Sequence, residues 1–498
     1  MKKVISLFLI LSLSLALFGC NKTEGEEETT ANDYVLPTPV VTTDISLPYT
    51  SASDFDPFKT DSVLNRDLLP LIFESLYNAD NTGKGIAVLA SSGEISGKNV
   101  TVKIKQGLKF SDGSELLSTH VKSSFEKAKN SVIYKAELKN ISSVTCVDNY
   151  TLNFTLNVND ELAVNCLTFP VVKESKDTLL GSGKYKLSYL EDTPYLEVNT
   201  NYRDYSKKWN VQIALFDMAG ITSPVYPFKA NEISAYKQDL TEEYVNLSSN
   251  TVSVETNNLV YIGINTEWAG SVTSIDFVRQ AINIGIDRKN ITASSFLGQG
   301  SATVTPFKNE FYGIQNVELV GVEGNVEKAI GILERNGYDK TNSDGIRTNG
   351  SAGLRVDILV CTENPYKVTV AESFKKSLEK LGFGVTIKKY SESEKFTKAL
   401  EEGHYSFYVG ETRMTNNCDM SEFFTDSGAL NYGVSDSMKE IFKSYRNSET
   451  TTSQFIEGFS TEVPILPLFY RKSVVSVNPN ITGVDETEVY TSVNNWKL

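Results

Sequence analysis

Two pieces of sequence decide the fold: Val260-Tyr-Ile-Gly-Ile-Asn265 and Phe277-Val-Arg-Gln-Ala-Ile-Asn-Ile-Gly-Ile-Asp-Arg288. The first is a short apolar run, rich in β-formers, and it predicts a buried strand that ends at Asn265. The second carries apolar residues every three to four positions, which predicts an amphipathic helix. A strand that leaves one apolar layer and enters a new helical layer in mid-chain indicates a crossover between two domains.

Downstream of this crossover, strands alternate with helices, which is typical of a parallel sheet with crossover helices. Val463-Pro-Ile-Leu-Pro-Leu-Phe-Tyr470 is apolar and stiffened by two prolines, so it suits a second pass of the chain between domains. Two lobes joined by two passes of chain leave a cleft between them. The elements predicted here are helices over 326–336, 367–381, 393–402, 437–446 and 452–459, and strands over 354–360, 384–388 and 405–409.

Upstream, strands and helices are interleaved without a repeat of 20–50 residues, which excludes a solenoid. A helix is predicted over 61–78, and Pro70 inside it should kink or split it. The other elements predicted here are half-exposed strands within 86–110, a helix over 117–129, and strands within 144–158, 184–190 and 195–198.

The first nineteen residues have the features of a secretory signal, since Lys2 and Lys3 precede an apolar run too short to span a bilayer. Leu17-Phe-Gly-Cys20 resembles the bacterial lipobox, in which the Cys is acylated, although Phe18 stands where that motif has Ala or Ser. An ordinary signal with an incidental Cys is the alternative. We expect a signal peptide over 1–19 and an acylated Cys20 with a flexible acidic tether over 20–33, which would hold the protein on the extracytoplasmic face of the membrane.

The remaining chain of about 480 residues is too long for one core and indicates two or three domains. The net charge, −14 for the whole chain and about −16 without the signal, argues against nucleic acid and anionic lipid surfaces as partners. No later stretch approaches twenty apolar residues, so no transmembrane helix is predicted. Cys146, Cys166, Cys361 and Cys418 could pair in three ways, and buried free thiols are equally consistent with their spacing.

Phe110-Ser-Asp-Gly113 and Val278-Arg-Gln-Ala281 with Ile286-Asp-Arg288 form a specific combination of motifs. With them the chain resembles the extracellular solute-binding proteins of the oligopeptide, dipeptide and nickel type, family 5, which feed ABC importers. The likeness covers nearly all of the chain after the signal. Further matching stretches are Leu71-Ile-Phe-Glu-Ser-Leu-Tyr77, Val102-Lys-Ile-Lys-Gln-Gly-Leu-Lys109, Asn201-Tyr202, Asp344-Gly-Ile-Arg347 and Pro464-Ile-Leu-Pro467.

The resemblance implies an α/β, two-lobed periplasmic-binding-protein fold of type II, with an extra subdomain in lobe 1 and a ligand cleft between the lobes. It also implies capture of a peptide or similar small polar solute without catalysis, and delivery to the permease and ATPase subunits of an ABC importer. We expect a monomer that needs no cofactor. The expected division is 34–60, 182–264 and 466–498 for the lobe 1 core, 61–181 for the inserted subdomain, and 265–465 for lobe 2.

The ligand is expected at Gly410–Met420, because this stretch follows a strand of the parallel sheet, where open α/β sheets bind their ligands. In peptide binders of the family, an Asp of this region meets the peptide's α-amino group. The family's Trp-x-x-Asp-x-x-Asp-Pro pattern is missing here, so Asp419 is the nearest acid and Glu411 is its rival. We also expect Arg413 and Asn416 to contact ligand, with a solvated loop as the alternative.

Two aromatic residues beside the crossovers are further candidates. Trp268 could stack on ligand or wedge into the interlobe interface, and the same choice applies to Tyr470. By contrast, Arg279 and Asp287 fit structural roles, as a helix-surface cation and a helix cap, and are not assigned to the site.

Metal binding and catalysis find little support in the sequence. His120 and His404 are far apart and lack neighbouring Cys, Asp or Glu ligands, which argues against a metal site unless a metal arrives chelated. The motifs of serine hydrolases, zinc proteases and P-loop enzymes are absent. Two other functions stay open as alternatives, a surface receptor that senses peptide without importing it and a secreted hydrolase.

Overall fold

Strands and helices are interleaved throughout the part of the chain that the structure, a computed structural model, describes: residues 43–80, 82–176, 178–350, 352–485 and 488–498. The strands are β1 Ser46–Tyr49, β2 Tyr77–Ala79, β3 Gly85–Ala87, β4 Ala90–Ser96, β5 Asn99–Ile104, β6 Ile141–Asp148, β7 Thr151–Leu156, β8 Lys173–Ser175, β9 Thr178–Leu180, β10 Tyr185–Leu190, β11 Thr193–Val198, β12 Gln212–Asp217, β13 Ala235–Gln238, β14 Thr251–Ile264, β15 Gly300–Ala302, β16 Lys340–Thr341, β17 Arg347–Thr348, β18 Arg355–Cys361, β19 Gly384–Tyr390, β20 Phe407–Arg413 and β21 Ile465–Val477. The α-helices are α1 Val63–Ile72, α2 Ser118–Asn130, α3 Val225–Lys229, α4 Asp276–Gly285, α5 Arg288–Ser294, α6 Val326–Arg335, α7 Pro365–Lys380, α8 Ser393–Glu402, α9 Ser421–Phe424, α10 Asp436–Arg446 and α11 Thr452–Glu462.

A seven-stranded mixed sheet, in the order β13-β21-β14-β20-β18-β19 with β15 also paired to β21, is the largest sheet of the described residues. The predicted parallel arrangement is confirmed for β18, which pairs in parallel with both β19 and β20. Next to them, β14 is antiparallel to β20 and to β21. The long strands β14 and β21 therefore join the predicted parallel unit to the rest of the chain.

The apolar run at 260–264 forms the second half of β14, and both of its faces are buried. Val260, Ile262 and Ile264 point into a core under α4, α6 and α7, whereas Leu259 and Tyr261 point into a core under α9–α11. A strand covered on both faces needs apolar residues at successive positions, which explains why this run does not alternate with polar residues.

Glycine and tyrosine alternate across the β14–β20 pair. In the strand register Gly263 faces Tyr408, and Tyr261 faces Gly410. A Cβ added at Gly263 would lie 1.9 Å from the Tyr408 ring, and one added at Gly410 would lie 2.3 Å from the Tyr261 ring. Each glycine thus leaves the space that the opposite tyrosine ring fills, and the two rings meet edge to face at 5.8 Å.

The helix predicted after the crossover is α4, but one of its details differs from expectation. Asp276 lies in the first turn of α4, where its carboxylate pairs with Arg279 at 2.8 Å. Arg279 is buried, not a surface cation, and also donates to the backbone carbonyls of Thr273 and Glu462. Asp287 caps α5 as predicted, accepting from the Asn290 N–H at 2.8 Å.

The rest of the chain is built on two four-stranded sheets, β1-β12-β11-β10 and β4-β5-β7-β6, which share one buried core. The helix predicted over 61–78 is shorter in the structure, where α1 ends at Ile72 and Tyr77 begins β2. Pro70 lies inside α1, two residues before its end. Leu76 and Tyr77 continue the spacing of apolar residues that predicted the longer helix. Their side chains are buried in the shared core, although their backbone is not helical.

We call the part of the chain around this shared core the first lobe, and the part around the two cores of the seven-stranded sheet the second lobe. Strands β14 and β21 run between them, since Val252 and Val475 lie in the first-lobe core and Val260 and Leu466 in the second. The domain boundaries at 264/265 and 465/466 stay a prediction.

The predicted signal peptide, Cys20 and the tether over 20–33 lie outside the described residues. Among the described residues, no helix is both long and apolar enough to cross a membrane.

The guanidinium of Arg288 provides a test of the second-lobe core. It is fully buried, donates to the carbonyl of Pro467 at 2.8 Å and to Asn283 at 3.0 and 2.6 Å, and burial lowers its pKa to about 9. Arg288→Ala leaves these acceptors unpaired, so we expect a loss of about 3 kcal/mol or more in unfolding free energy, measured by urea denaturation. The control is Lys289→Ala, which removes an exposed ion pair with Glu323 and should cost under about 0.5 kcal/mol. Equal losses in both variants would contradict this assignment.

Candidate functional site

The stretch predicted to hold ligand, Gly410–Met420, divides into strand and loop. Residues up to Arg413 belong to β20, and the loop begins at Met414, whose N–H donates to the carbonyl of Asn257 at 2.8 Å. Because β20 is antiparallel to β14, it runs back toward the first lobe and delivers the loop there. We call residues 414–420 the cleft loop.

Glu411 lies within β20 rather than in the loop, and its carboxylate is engaged by other side chains. Its oxygens lie 2.8 Å from Arg471 Nε and 3.3 Å from Lys367 Nζ, and Asn258 donates to it at 3.3 Å. Arg471 is buried and also pairs with Asp239 at 3.1 Å. In this state Glu411 therefore belongs to an ion-pair network at the passage between the lobes.

Asp419 is also engaged within the second lobe. Its carboxylate accepts from the Ser421 N–H at 3.1 Å and from the Ser421 hydroxyl at 2.9 Å, and it lies 3.6 Å from Arg446. It therefore stabilises the start of α9 and compensates one cation. A ligand amine that reached Asp419 would have to compete with Arg446.

Asn416 is the predicted site residue that touches the first lobe most directly. Its backbone N–H donates to the Glu137 carboxylate at 2.7 Å, and its side-chain amide donates to Thr168 at 3.4 Å. Its carbonyl accepts from Asn165 at 3.5 Å, and its side-chain oxygen accepts from Asn257 at 2.6 Å. These bonds hold the cleft loop against the first lobe.

Two first-lobe carboxylates beside the cleft loop were not found by sequence reasoning. Burial raises the pKa of Glu137 to about 7, and burial also raises the pKa of Asp160. Asp160 accepts from the side-chain amide of Asn417 at 2.7 Å, across 257 residues of sequence. Neither acid lies in a motif, and their partners lie so far along the chain that no local signal could have identified them.

Arg413 is exposed at the end of β20. Its charge acts on two first-lobe groups, lowering the pKa values of Glu137 and Tyr134 against the larger effect of burial, which raises both. The structure thus places a cation at the edge of the contact between the cleft loop and the first lobe.

The two predicted aromatic residues lie apart from each other. Trp268 follows the far end of β14, 6.1 Å edge to face from His404, so it lies at the opposite end of the β14–β20 pair from Arg413. Tyr470 is buried beneath the sheet, where its hydroxyl donates to the carbonyl of Pro306 at 2.6 Å. Asn416, Arg413 and Asp419 are therefore brought to one region, and Trp268 is not.

The described residues contain neither a disulfide bridge nor a cluster of side chains that could bind a metal. Cys146, Cys166, Cys361 and Cys418 are free thiols, and no group of three or more His, Cys, Asp or Glu residues in the described ranges is arranged to hold a metal. His120 accepts from the Leu117 N–H at 3.0 Å and thereby caps the start of α2. Burial also lowers the pKa of His120.

The sequence is similar to those of known proteins over most of its length. Residues 86–429 match the family of bacterial extracellular solute-binding proteins, family 5 middle. The chain is 22% identical to the nickel-binding protein NikA of Staphylococcus aureus (strain NCTC 8325 / PS 47) over 514 residues, covering 96% of this chain and 95% of that protein.

Solved structures show the same fold. The crystal structure of a nickel ABC transporter protein from Bacillus halodurans superposes with a TM-score of 0.72 at 17% identity, covering 91% of this chain and 99% of that chain. The oligopeptide-binding protein AppA of Bacillus subtilis, in complex with a nonapeptide, superposes with a TM-score of 0.54 at 19% identity, covering 91% and 98%.

These likenesses confirm the predicted α/β fold of two lobes with a cleft between them. They also agree with the sequence motifs that indicated a substrate-binding protein of ABC transporters. Because the family match spans more than half of the chain, the chain belongs to family 5 of the bacterial extracellular solute-binding proteins.

Proposed function

We propose that this protein captures a peptide or a similar small polar solute between its two lobes and delivers it to the permease of an ABC importer. The observation that carries the proposal is the polar contact between the cleft loop and the first lobe. Asn416 and Asn417 of the loop bond Glu137 and Asp160 across the lobes. Membership of family 5 supports the importer, and the AppA structure with its nonapeptide supports the peptide.

Closure of the lobes would couple binding to delivery. In an open state the loop and first-lobe polar groups would face water, and a solute that contacts both lobes would favour the closed state by its extra contacts there. The strands β14 and β21 are the passages about which the lobes would move.

The residues proposed to contact the solute differ in whether other side chains already engage them. Arg413 and Asn416 lie where the lobes meet, so we assign them to a carboxylate or peptide group of the solute. Asp419 and Glu411 would need to exchange the partners they hold in this state. Tyr470 would bound the site rather than contact its polar centre, whereas Trp268 lies at the other end of the β14–β20 pair and is left out of the proposed contacts.

A chelated metal is the second candidate solute, because NikA is similar along nearly the whole chain. The described residues lack a group of three or more metal-ligating side chains, so any nickel would arrive with its own ligands.

A ligand panel tests the solute class. We expect some peptide of two to seven residues to raise the unfolding free energy by about 2.7 kcal/mol at one hundred times its dissociation constant, in a thermal-shift measurement. Small-angle scattering should show compaction with the same peptide. Nickel with excess histidine is the comparison.

If nickel–histidine stabilises the protein and no peptide does, the peptide assignment falls and the chelate takes its place. Uptake of the identified solute by the host, with and without this protein, would then separate import from sensing. Sensing predicts unchanged uptake when the protein is deleted.

Arg413 supplies a residue-level prediction. Arg413→Gln removes a charge-assisted hydrogen bond to an anionic group of the solute, so affinity should fall about tenfold, or about 1.4 kcal/mol. The matched control is Arg355→Gln at the start of β18, where an exposed Arg pairs with Asp344 at 3.0 Å. Calorimetric titration that gave equal affinities for both variants and the unchanged protein would remove Arg413 from the site.

We also propose that Cys20 carries a lipid that anchors the protein to the membrane. Cys20→Ala should abolish incorporation of labelled palmitate and move the protein from the membrane to the soluble fraction. Cys146→Ala, which changes a thiol of the folded body, should leave the protein in the membrane fraction. Retention of Cys20→Ala in the membrane would contradict acylation at this residue.

A further inference from the structure

Two carboxylates contact the cleft loop where it meets the first lobe, and their hydrogen bonds come from neutral donors. Glu137 accepts from the Asn416 N–H at 2.7 Å and from the thiol of Cys166. Asp160 accepts from the Leu162 N–H at 2.9 Å, from Asn417 at 2.7 Å and, more weakly, from Asn140 at 3.3 Å. Both carboxylates act on Cys166 and on Cys418, which places them around the same two thiols.

No ion pair compensates these two charges among the described residues. Glu137 and Asp160 take part in none of the salt bridges found there, and Arg413 and Arg446 act on them from beyond ion-pair distance. Burial raises the pKa values of both acids, because a buried carboxylate without a countercharge favours its neutral form.

Two buried amide oxygens, one in the cleft loop and one on a residue bonded to it, lack a donor, and they are a separate sign that the site is incomplete. Asn417 is 6% exposed, its amide nitrogen lies on Asp160, and its Oδ1 has no partner. Asn165 is 1% exposed, its amide nitrogen donates to the carbonyls of Gly83 and Asn416, and its Oδ1 is also unpaired. Native proteins rarely leave such acceptors buried without a donor.

We infer that Glu137, Asp160, Asn165 and Asn417 form the subsite for a protonated amine of the captured solute. An ammonium group brings three N–H donors and one positive charge, which match the unpaired oxygens and the uncompensated carboxylates. An anionic group would meet two acids here and is excluded. The inference rests on the proposed capture of a solute between the lobes and assigns one chemical group of that solute.

This subsite differs from the one expected from the family resemblance. That resemblance placed the amine at Asp419 or Glu411 of the second lobe, and both of these acids already pair with arginines of this chain. The uncompensated acids belong to the first lobe instead. A solute amine would therefore bind the first lobe before closure, and the cleft loop would close over it.

Binding of an ammonium group would be linked to proton release. Because burial raises the pKa of Glu137 to about 7, the carboxyl is largely protonated below that pH, and a bound cation would ionise it. Affinity should therefore rise with pH from about 5 to about 7 and level off above, since Glu137 is then ionised with or without ligand. The other titratable groups that face the two acids are Arg413, Arg446, Cys166, Cys418, Tyr312 and Tyr445. Asp419 faces Cys166, and Lys308 faces Cys418.

The test uses two peptide libraries of equal length that lack Lys and Arg, one with free and one with acetylated amino termini. Native mass spectrometry and calorimetry with the full chain should show binding of the free-amine library at least tenfold tighter. Glu137→Gln and Asp160→Asn should each remove most of this preference. The control is Glu161→Gln, which neutralises the exposed acid next to Asp160 and should change affinity less than threefold.

Proton release gives a readout that does not depend on the folding of a variant. Calorimetry of the unchanged protein at pH 6, in two buffers of different ionisation enthalpy, should show protons released on binding. Equal affinity for both libraries, or binding without proton release, overturns the amine subsite and leaves the proposed receptor function intact. Failure of both libraries to bind overturns the peptide-capture function and the subsite with it.

Discussion

The antiparallel pairing of β14 with β21 is the constraint on which the rest of the structure depends. Each strand begins in one lobe's core and ends in the other's, so a ladder of backbone pairing crosses between the lobes. The ladder changes register between Glu255 and Leu259, close to the place where the cores change. Beside this irregularity, the buried guanidinium of Arg471 joins Asp239, just after β13, to Glu411 on β20. The passage between lobes is thus fixed by paired backbone and by a charge network, while the packed cores stay separate.

The direction of β14 also determines where the polar chemistry of the second lobe can act. Because β14 runs from the first lobe into the second, its antiparallel neighbour β20 must run back, and the loop that follows β20 emerges against the first lobe. The opposite end of the same pair, where Trp268 lies, faces away from this contact. The reciprocal fit of Gly263 with Tyr408 and of Tyr261 with Gly410 fixes the register of the pair, and with it the position of the cleft loop.

Sequence patterns predicted the helices and strands of the second lobe well because each of them is determined by residues close together in the sequence. Helices α6 to α8 and strands β18 to β20 follow their periodicity to within a few residues, with caps such as Gly403 at the end of α8. Local patterns gave wrong or incomplete predictions where contacts between residues distant in the sequence determine the structure. Tyr77 continues the helical spacing of α1, yet its backbone pairs with Ala87 in a hairpin. The partners of Glu411 and Asp419 are arginines 60 and 27 residues away, and no spacing rule connects them. Glu137 and Asp160 become visible as a pair when the fold brings the cleft loop beside them.

The contacts across the cleft affect how tightly a solute can bind. The cleft loop already occupies acceptors of the first lobe through the Asn416 N–H and the Asn417 amide. A solute that made the same hydrogen bonds would replace these contacts and gain little free energy, since each bond formed would cost one broken. Selectivity must therefore come from groups that the loop leaves unsatisfied. The charge of the two acids and the unpaired oxygens of Asn165 and Asn417 are such groups, and a neutral backbone donor cannot compensate that charge. The contacts between the cleft loop and the first lobe thus compete with neutral polar solutes, whereas a cationic group adds an interaction that these contacts do not supply.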